Sequence, residues 1–117
     1  MTNLSLAIPS YNRAPLLLRN LKRVAPHLPS WLRVVVIDNC SPTPVFVDDE
    51  LRELLVQRGV DLRIVRNPAN IGGGANILRC FEVVDTEWFF LCGDDDILNL
   101  DRIDHIRKLV ESHPEAG

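Results

Sequence analysis

Three consecutive carboxylates, Asp94-Asp95-Asp96, close the apolar run Phe89-Phe90-Leu91-Cys92-Gly93. Like charges this close repel one another, and a fold tolerates them only when they are fully solvated or neutralised by a cation. Carboxylate oxygens suit Mg²⁺ or Mn²⁺, and Mg²⁺ is usually held by one or two of them, with phosphate oxygens and water completing its shell. The triplet therefore reads as a clamp for a metal-bound phosphate. The plainer alternative is an acidic turn after a strand, with Asp96 or Asp101 capping the helix that follows.

Gly72-Gly73-Gly74 is the second unusual stretch, in the first turn of a helical pattern. Each glycine there costs about 1 kcal/mol relative to alanine, against a typical total stability of only about 5–15 kcal/mol. Bare backbone at that place points to a ligand approaching a helix N-terminus, whose free N–H groups and positive dipole end favour anions. Tight packing of the helix start against a strand would require the same residues. The stretch is not a Rossmann fingerprint, which needs a glycine where Ile77 stands, nor a P-loop, which needs Gly-Lys-Ser/Thr.

The elements that must position these residues are legible from the hydrophobic pattern. Leu4 to Ile8 reads as a buried strand stopped by Pro9, after which Asn12 can cap a helix carrying Leu17, Leu21, Val24 and Leu28 on one side. Arg33 to Ile37 is a continuous β-branched run of the kind found in parallel strands covered on both faces. A helix capped by Asp48 or Asp49 carries Leu51, Leu54 and Leu55 and ends at Gly59. Leu62 to Val65 reads as an edge strand with Arg63 facing water. Asn70 is the expected cap of a helix running through Leu78 and Phe81, and Trp88 to Leu91 is the last strand. A closing helix from Asp101 has Ile103, Ile106, Leu109 and Val110 inward. This alternation predicts right-handed crossovers and a mostly parallel sheet between helices, an α/β three-layer sandwich in one domain of residues 1–117.

In such sheets a ligand sits outside the carboxyl ends of the strands. Ser10 to Arg13, Asp38 to Ser41, Arg66-Asn67 and Asp94 to Asp96 all follow strand ends and should converge on one edge. A net charge of −3 with 25% charged residues makes nucleic acid or an anionic membrane a poor partner, so an anionic ligand must be met locally. Cys40, Cys80 and Cys92 fit neither a zinc knuckle nor a disulfide framework and read as reduced cytosolic thiols. With no signal-peptide pattern and no run of the roughly 20 apolar residues that span a bilayer, the chain reads as cytoplasmic.

Four pieces, Ile8-Pro9-Ser10-Tyr11-Asn12-Arg13, Val36-Ile37-Asp38-Asn39-Cys40-Ser41, Asn67 to Asn76 and Phe90-Leu91-Cys92-Gly93-Asp94-Asp95-Asp96, together resemble the family 2 nucleotide-sugar glycosyltransferases of the GT-A fold. The resemblance implies a truncated GT-A fold in which Pro9, Tyr11 and Arg13 pack on base and ribose and Asp38 and Asn39 read the base, Asn39 standing where the family has a second acid. The glycine-bearing helix start, with Asn70, Gly72, Gly73 and Asn76, would face the sugar-nucleotide, and Arg66, Arg13 and Arg79 are candidates for phosphate charge. Asp94, Asp95 and Asp96 would hold Mn²⁺ or Mg²⁺ on the diphosphate, Cys92 replacing the family's usual first acid, and Asp94 would also meet the donor. The donor would be UDP-, dTDP- or GDP-linked and the acceptor a glycan or lipid-linked saccharide, met at the inner face of a membrane in a longer protein.

The family's general base comes from a second half, expected beyond Gly117, so the chain resembles the donor-binding half of a longer enzyme. The strand Trp88 to Leu91 would then be an open edge, and a homodimer through it is expected. A nucleotide-binding module without turnover would share every motif. A phosphotransfer receiver would need a lysine after a late strand, whereas the two lysines, Lys22 and Lys108, both fall on helices.

Overall fold

The computed structural model describes residues 4–84, 86, 88–93, 101, 104, 105, 108, 109 and 112. Four strands, β1 (Leu4–Ser10), β2 (Leu32–Asp38), β3 (Asp61–Arg66) and β4 (Trp88–Leu91), pair in parallel in the order β3-β2-β1-β4. Helices α1 (Ala14–Val24), α2 (Asp49–Arg58) and α3 (Gly73–Val83) connect them, with a 3₁₀ turn at Ala25–His27. Strand order reverses between β1 and β4, the place where open parallel sheets bind ligands.

Side chains alternate across the pleat and so sort themselves between two helix layers. Leu4, Leu6 and Ile8 of β1 and Leu32, Val34 and Val36 of β2 join Leu17, Leu21, Val24, Leu51 and Leu55 in the larger core under α1 and α2. Ala7, Val35 and Ile37 face the other way and meet Cys80 of α3 in a smaller core. Burial pushes the Cys80 thiol up to about 11. The expected three-layer sandwich is thus observed, with β3 at one edge. Arg63 lies at the surface as expected and donates to Val83 O at 3.1 Å.

Several local expectations need correction. β1 does not stop at Pro9 but continues to Ser10, pairing Pro9 with Ile37. Ser10 O accepts from Asn39 N on the β2 side and Ala7 O accepts from Cys92 N on the β4 side. Pro9 shares the orientation of Ala7, two residues back, and β4 pairing ends at Ala7–Leu91. The missing N–H of proline therefore falls where no ladder partner is left.

Asn12 does not cap α1; the cap position is Arg13, with no side-chain bond, and Asn12 takes a left-handed φ of 56° while its N–H reaches Ser41 Oγ at 2.9 Å. Nor does Asn70 cap α3, whose cap is Gly72 at φ 88°. Asp48 caps α2 as expected, accepting from Leu51 N at 2.9 Å. The described positions between 101 and 112 are helical, but Leu109, expected inward, is 48% exposed, and Ile103, Ile106 and Val110 lie outside the described residues. Among the described residues no helix is long and apolar enough to cross a membrane.

Gly59 ends α2 at φ 67°, a conformation that only glycine adopts without penalty, and a Cβ there would have just an ordinary contact with Ser30 at 3.8 Å. Gly59→Ala should therefore lower stability through backbone strain alone, by about 1–2 kcal/mol in urea unfolding.

Candidate functional site

At the carboxyl ends of β1 and β2, Pro9, Ser10, Tyr11, Asn39, Asn70, Gly72, Gly73, Asn76 and Ile77 line an open cleft of about 380 Å³. None of these side chains carries a charge. Tyr11 is 44% exposed at the rim, a ring free to stack on a flat ligand. The start of α3, whose first-turn N–H groups have no intrahelical acceptor, also lines the cleft. The first intrahelical bond runs from Asn76 N to Gly72 O at 3.0 Å.

The glycines have two different reasons to be there. Gly72 has a positive φ, which suits glycine. Gly73 and Gly74 are helical and have no such requirement, and a Cβ at either would meet nothing within 4 Å. Tight packing against a strand, one of the two sequence-based explanations, is therefore wrong. What remains is an open surface of bare backbone beside the cleft.

Asp38 sits at the end of β2 with 0% exposure and is turned away from the cleft into the loop that follows. Its Oδ1 accepts from Ser41 Oγ at 2.5 Å and Ser41 N at 3.1 Å, and its Oδ2 from Val45 N at 3.2 Å and Arg66 Nη1 at 2.9 Å. Burial alone would push its pKa up, but the Ser41 hydroxyl, the Val45 and Ser41 amides and the Arg66 charge outweigh it and hold the carboxyl below the usual range. Ser41 Oγ in turn accepts from Asn12 N, so one buried carboxylate ties the loop bearing Tyr11 to the loop after β2.

Asn39, next in sequence, is 2% exposed and uses its whole carboxamide. Oδ1 accepts from Asn67 Nδ2 and Ile71 N, both at 3.0 Å, while Nδ2 donates to Asn70 Oδ1 at 2.9 Å and Gly72 O at 3.3 Å. Asn67 also donates to Asn76 Oδ1 at 2.8 Å, and Asn76 Nδ2 donates to Ile37 O at 3.2 Å. Asn70 Oδ1 further accepts from Gly72 N at 2.9 Å. Four asparagines thus hold the segment between β3 and α3 against the end of β2. Asn67 Oδ1 is a buried oxygen without a partner among the described residues.

The structure brings Pro9, Tyr11, Asn39, Asn70, Gly72, Gly73 and Asn76 to the cleft, as expected. It does not bring Asp38 or Arg66 there: the Arg66 guanidinium is committed to Asp38 and to Ser41 O at 3.0 Å. Arg79 pairs with Glu82 at 2.8 Å on the outside of α3, and Arg13 is exposed and off the cleft lining. Asp94, Asp95 and Asp96 lie outside the described residues; among those described, no group of three His, Cys, Asp or Glu side chains could hold a metal. The bridging role of Ser41 and the central place of Asn67 were missed from the sequence, although the run of asparagines at strand ends signalled a side-chain amide network.

The parallel sheet with helices on both faces is a GT-A-like α/β fold. It is similar to S. aureus TarS 1-349 at a TM-score of 0.68 and 22% identity over 96% of this chain, and to the same protein in complex with UDP-GlcNAc at 0.68 and 21%. It also resembles the mannosyltransferase PcManGT from Pyrobaculum calidifontis in complex with GDP-Man and Mn²⁺, at a TM-score of 0.56 and 19% identity over 80% of this chain and 27% of that one. An uncharacterized glycosyltransferase of Haemophilus influenzae is 22% identical over 97% of the chain. The signature described as Glycosyl transferase family 2 matches residues 5–117, and the chain belongs to that family. It spans about a third of the length of the relatives it matches, 36% for the Haemophilus protein and 33% for TarS 1-349.

Because the folded carboxyl of Asp38 titrates below its unfolded value of about 3.9, its stabilisation is present above that pH and is lost as pH falls through the folded value. Asp38→Asn should cost roughly 1–3 kcal/mol at pH 7 and flatten the acid limb of the stability curve, read by urea unfolding between pH 3 and 7.

Proposed function

We propose that this chain is the donor-binding part of a glycosyltransferase that moves a sugar from a nucleoside diphosphate to an acceptor hydroxyl. The observation that carries this reading is the uncharged cleft at the carboxyl ends of β1 and β2, lined by an exposed tyrosine and by the bare first turn of α3, in a chain of this family. A base is flat and neutral, a ribose is neutral and rich in hydroxyls, and such a lining suits both. The diphosphate would lie toward the N-terminus of α3, where dipole and free N–H groups favour an anion. With Arg66 and Arg79 already paired, backbone takes the larger share of that task.

The hard-oxygen set of Asp94, Asp95 and Asp96 fits Mn²⁺ or Mg²⁺. When bound, such an ion supplies Lewis-acid stabilisation of the leaving diphosphate. The complexes of the structural relatives with UDP-GlcNAc and with GDP-Man and Mn²⁺ support a UDP- or GDP-linked donor over other classes. Sugar transfer is proposed of the whole protein, not of the third that this chain spans.

Calorimetry with UDP-, dTDP- and GDP-sugars, with and without Mn²⁺, tests the reading. One donor should bind, more tightly with Mn²⁺, and Asp→Asn changes at 94, 95 and 96 should remove the metal dependence. Gly73→Ala should stabilise the fold by about 0.5–1 kcal/mol, since a glycine inside a helix is a net penalty, yet weaken donor binding. Absence of binding to every nucleotide sugar, or a Gly73→Ala protein that binds as well as wild type, would count against the cleft.

The free side of β4 belongs to the same proposal. Among the described residues β4 has no partner beyond β1, and Leu78 and Phe81 on the neighbouring α3 are 64% and 59% exposed. The isolated chain should dimerise through this edge in sedimentation at micromolar concentration, and a clean monomer would refute it.

A further inference from the structure

The amide at position 39 has a role that a base-reading residue could not fill at the same time. Its carboxamide makes four hydrogen bonds to other residues of the chain: two accepted, from Asn67 Nδ2 and Ile71 N, and two donated, to Asn70 Oδ1 and Gly72 O. An amide can make these bonds in one orientation only, because turning it over would set its NH₂ against the Ile71 N–H. A carboxylate in its place would keep the accepted pair and confront two oxygens, Asn70 Oδ1 and Gly72 O, with a negative charge.

Gly72 O is also the acceptor of the first intrahelical bond of α3, and Gly72 N bonds Asn70 Oδ1. The two oxygens that Asn39 holds are therefore the ones that fix where the cleft wall turns into the helix. We propose that Asn39 is a positioning residue: its carboxamide locks the Asn70-Ile71-Gly72 segment and thereby aims the bare first turn of α3 into the cleft, without itself selecting the base. The ligand side of this statement rests on the nucleotide reading above; the locking of the segment does not.

Asn39→Asp tests it in the intact chain, with two readouts. The first, amide hydrogen exchange, needs no ligand. At pH 8 the protection factor of Gly72, whose N–H is held by Asn70 Oδ1, should fall roughly tenfold or more, since Asn70 Oδ1 and Gly72 O both lose their donor and face a carboxylate instead. As pH drops toward 5 the introduced carboxyl, raised by burial beside those oxygens, takes up a proton and regains one donor, so the difference from wild type should shrink. A merely space-filling role would give no such pH profile. The second readout is calorimetry with UDP and GDP, both of which should weaken in parallel at pH 8 with their ratio preserved.

Should Asn39→Asp fail to fold, Asn70→Ala removes one of the two anchored oxygens from an exposed position. It should give the same loss of protection at Gly72 and the same parallel weakening. Unchanged protection at Gly72 would overturn the proposal, as would an altered UDP-to-GDP ratio in Asn39→Asp. If wild type binds neither nucleotide, the proposed donor site fails, and the exchange experiment still decides whether Asn39 locks the segment.

Discussion

Two adjacent side chains at the end of β2, Asp38 and Asn39, hold the loops on which the cleft depends. Strand alternation sends them to opposite faces: Asp38 toward Val45 and the core under α1 and α2, Asn39 toward Asn67, Asn76 and α3. Three connecting segments, after β1, β2 and β3, would otherwise be irregular backbone with polar groups to satisfy. Each is instead tied to this pair, directly or through Ser41, by hydrogen bonds that are buried or partly buried and costly to leave unmade.

The chemistry of the two positions follows from what surrounds each. Asp38 meets only donors: a hydroxyl, two amides and a guanidinium. An acceptor-only group satisfies all of them, and its burial is offset by that full coordination and by the Arg66 charge. Asn39 meets two donors and two acceptors, which an ionised acid could not satisfy. The resemblance to a family with a second acid at this place marked Asn39 as a departure, and the neighbourhood explains it. The amide matches the asparagine-rich segment it holds.

The sheet was legible because its signals are local and repeated: β-branched runs, alternating burial, an Asp cap and a glycine stop on α2. So was the edge at which the loops gather. What misled was the use of single residues as punctuation. Pro9 stayed in β1 because the ladder on its N–H side had already ended, a fact of strand order and not of sequence. Asn12 and Asn70 were expected as caps because asparagine caps helices well, but the Asn12 backbone N–H is bound to Ser41 and the Asn70 side chain to Asn39, each in another loop. Such recruitment spans about 30 positions in the chain, and no local pattern encodes it.

Arg66 is the clearest case in which chemistry at the right edge has another use. Its place after β3 made it a candidate for phosphate, yet its guanidinium bonds Asp38 and the Ser41 carbonyl instead. A cation committed to a buried carboxylate cannot move to a ligand without leaving that charge unpaired, which is costlier than losing a surface pair. The positive end that remains available at the cleft is the backbone of α3, and bare glycines at Gly73 and Gly74 leave the space beside it open. Fixed N–H groups need no side-chain ordering when an anion arrives, so under the proposed donor site preorganised backbone would offset the helix penalty of those glycines.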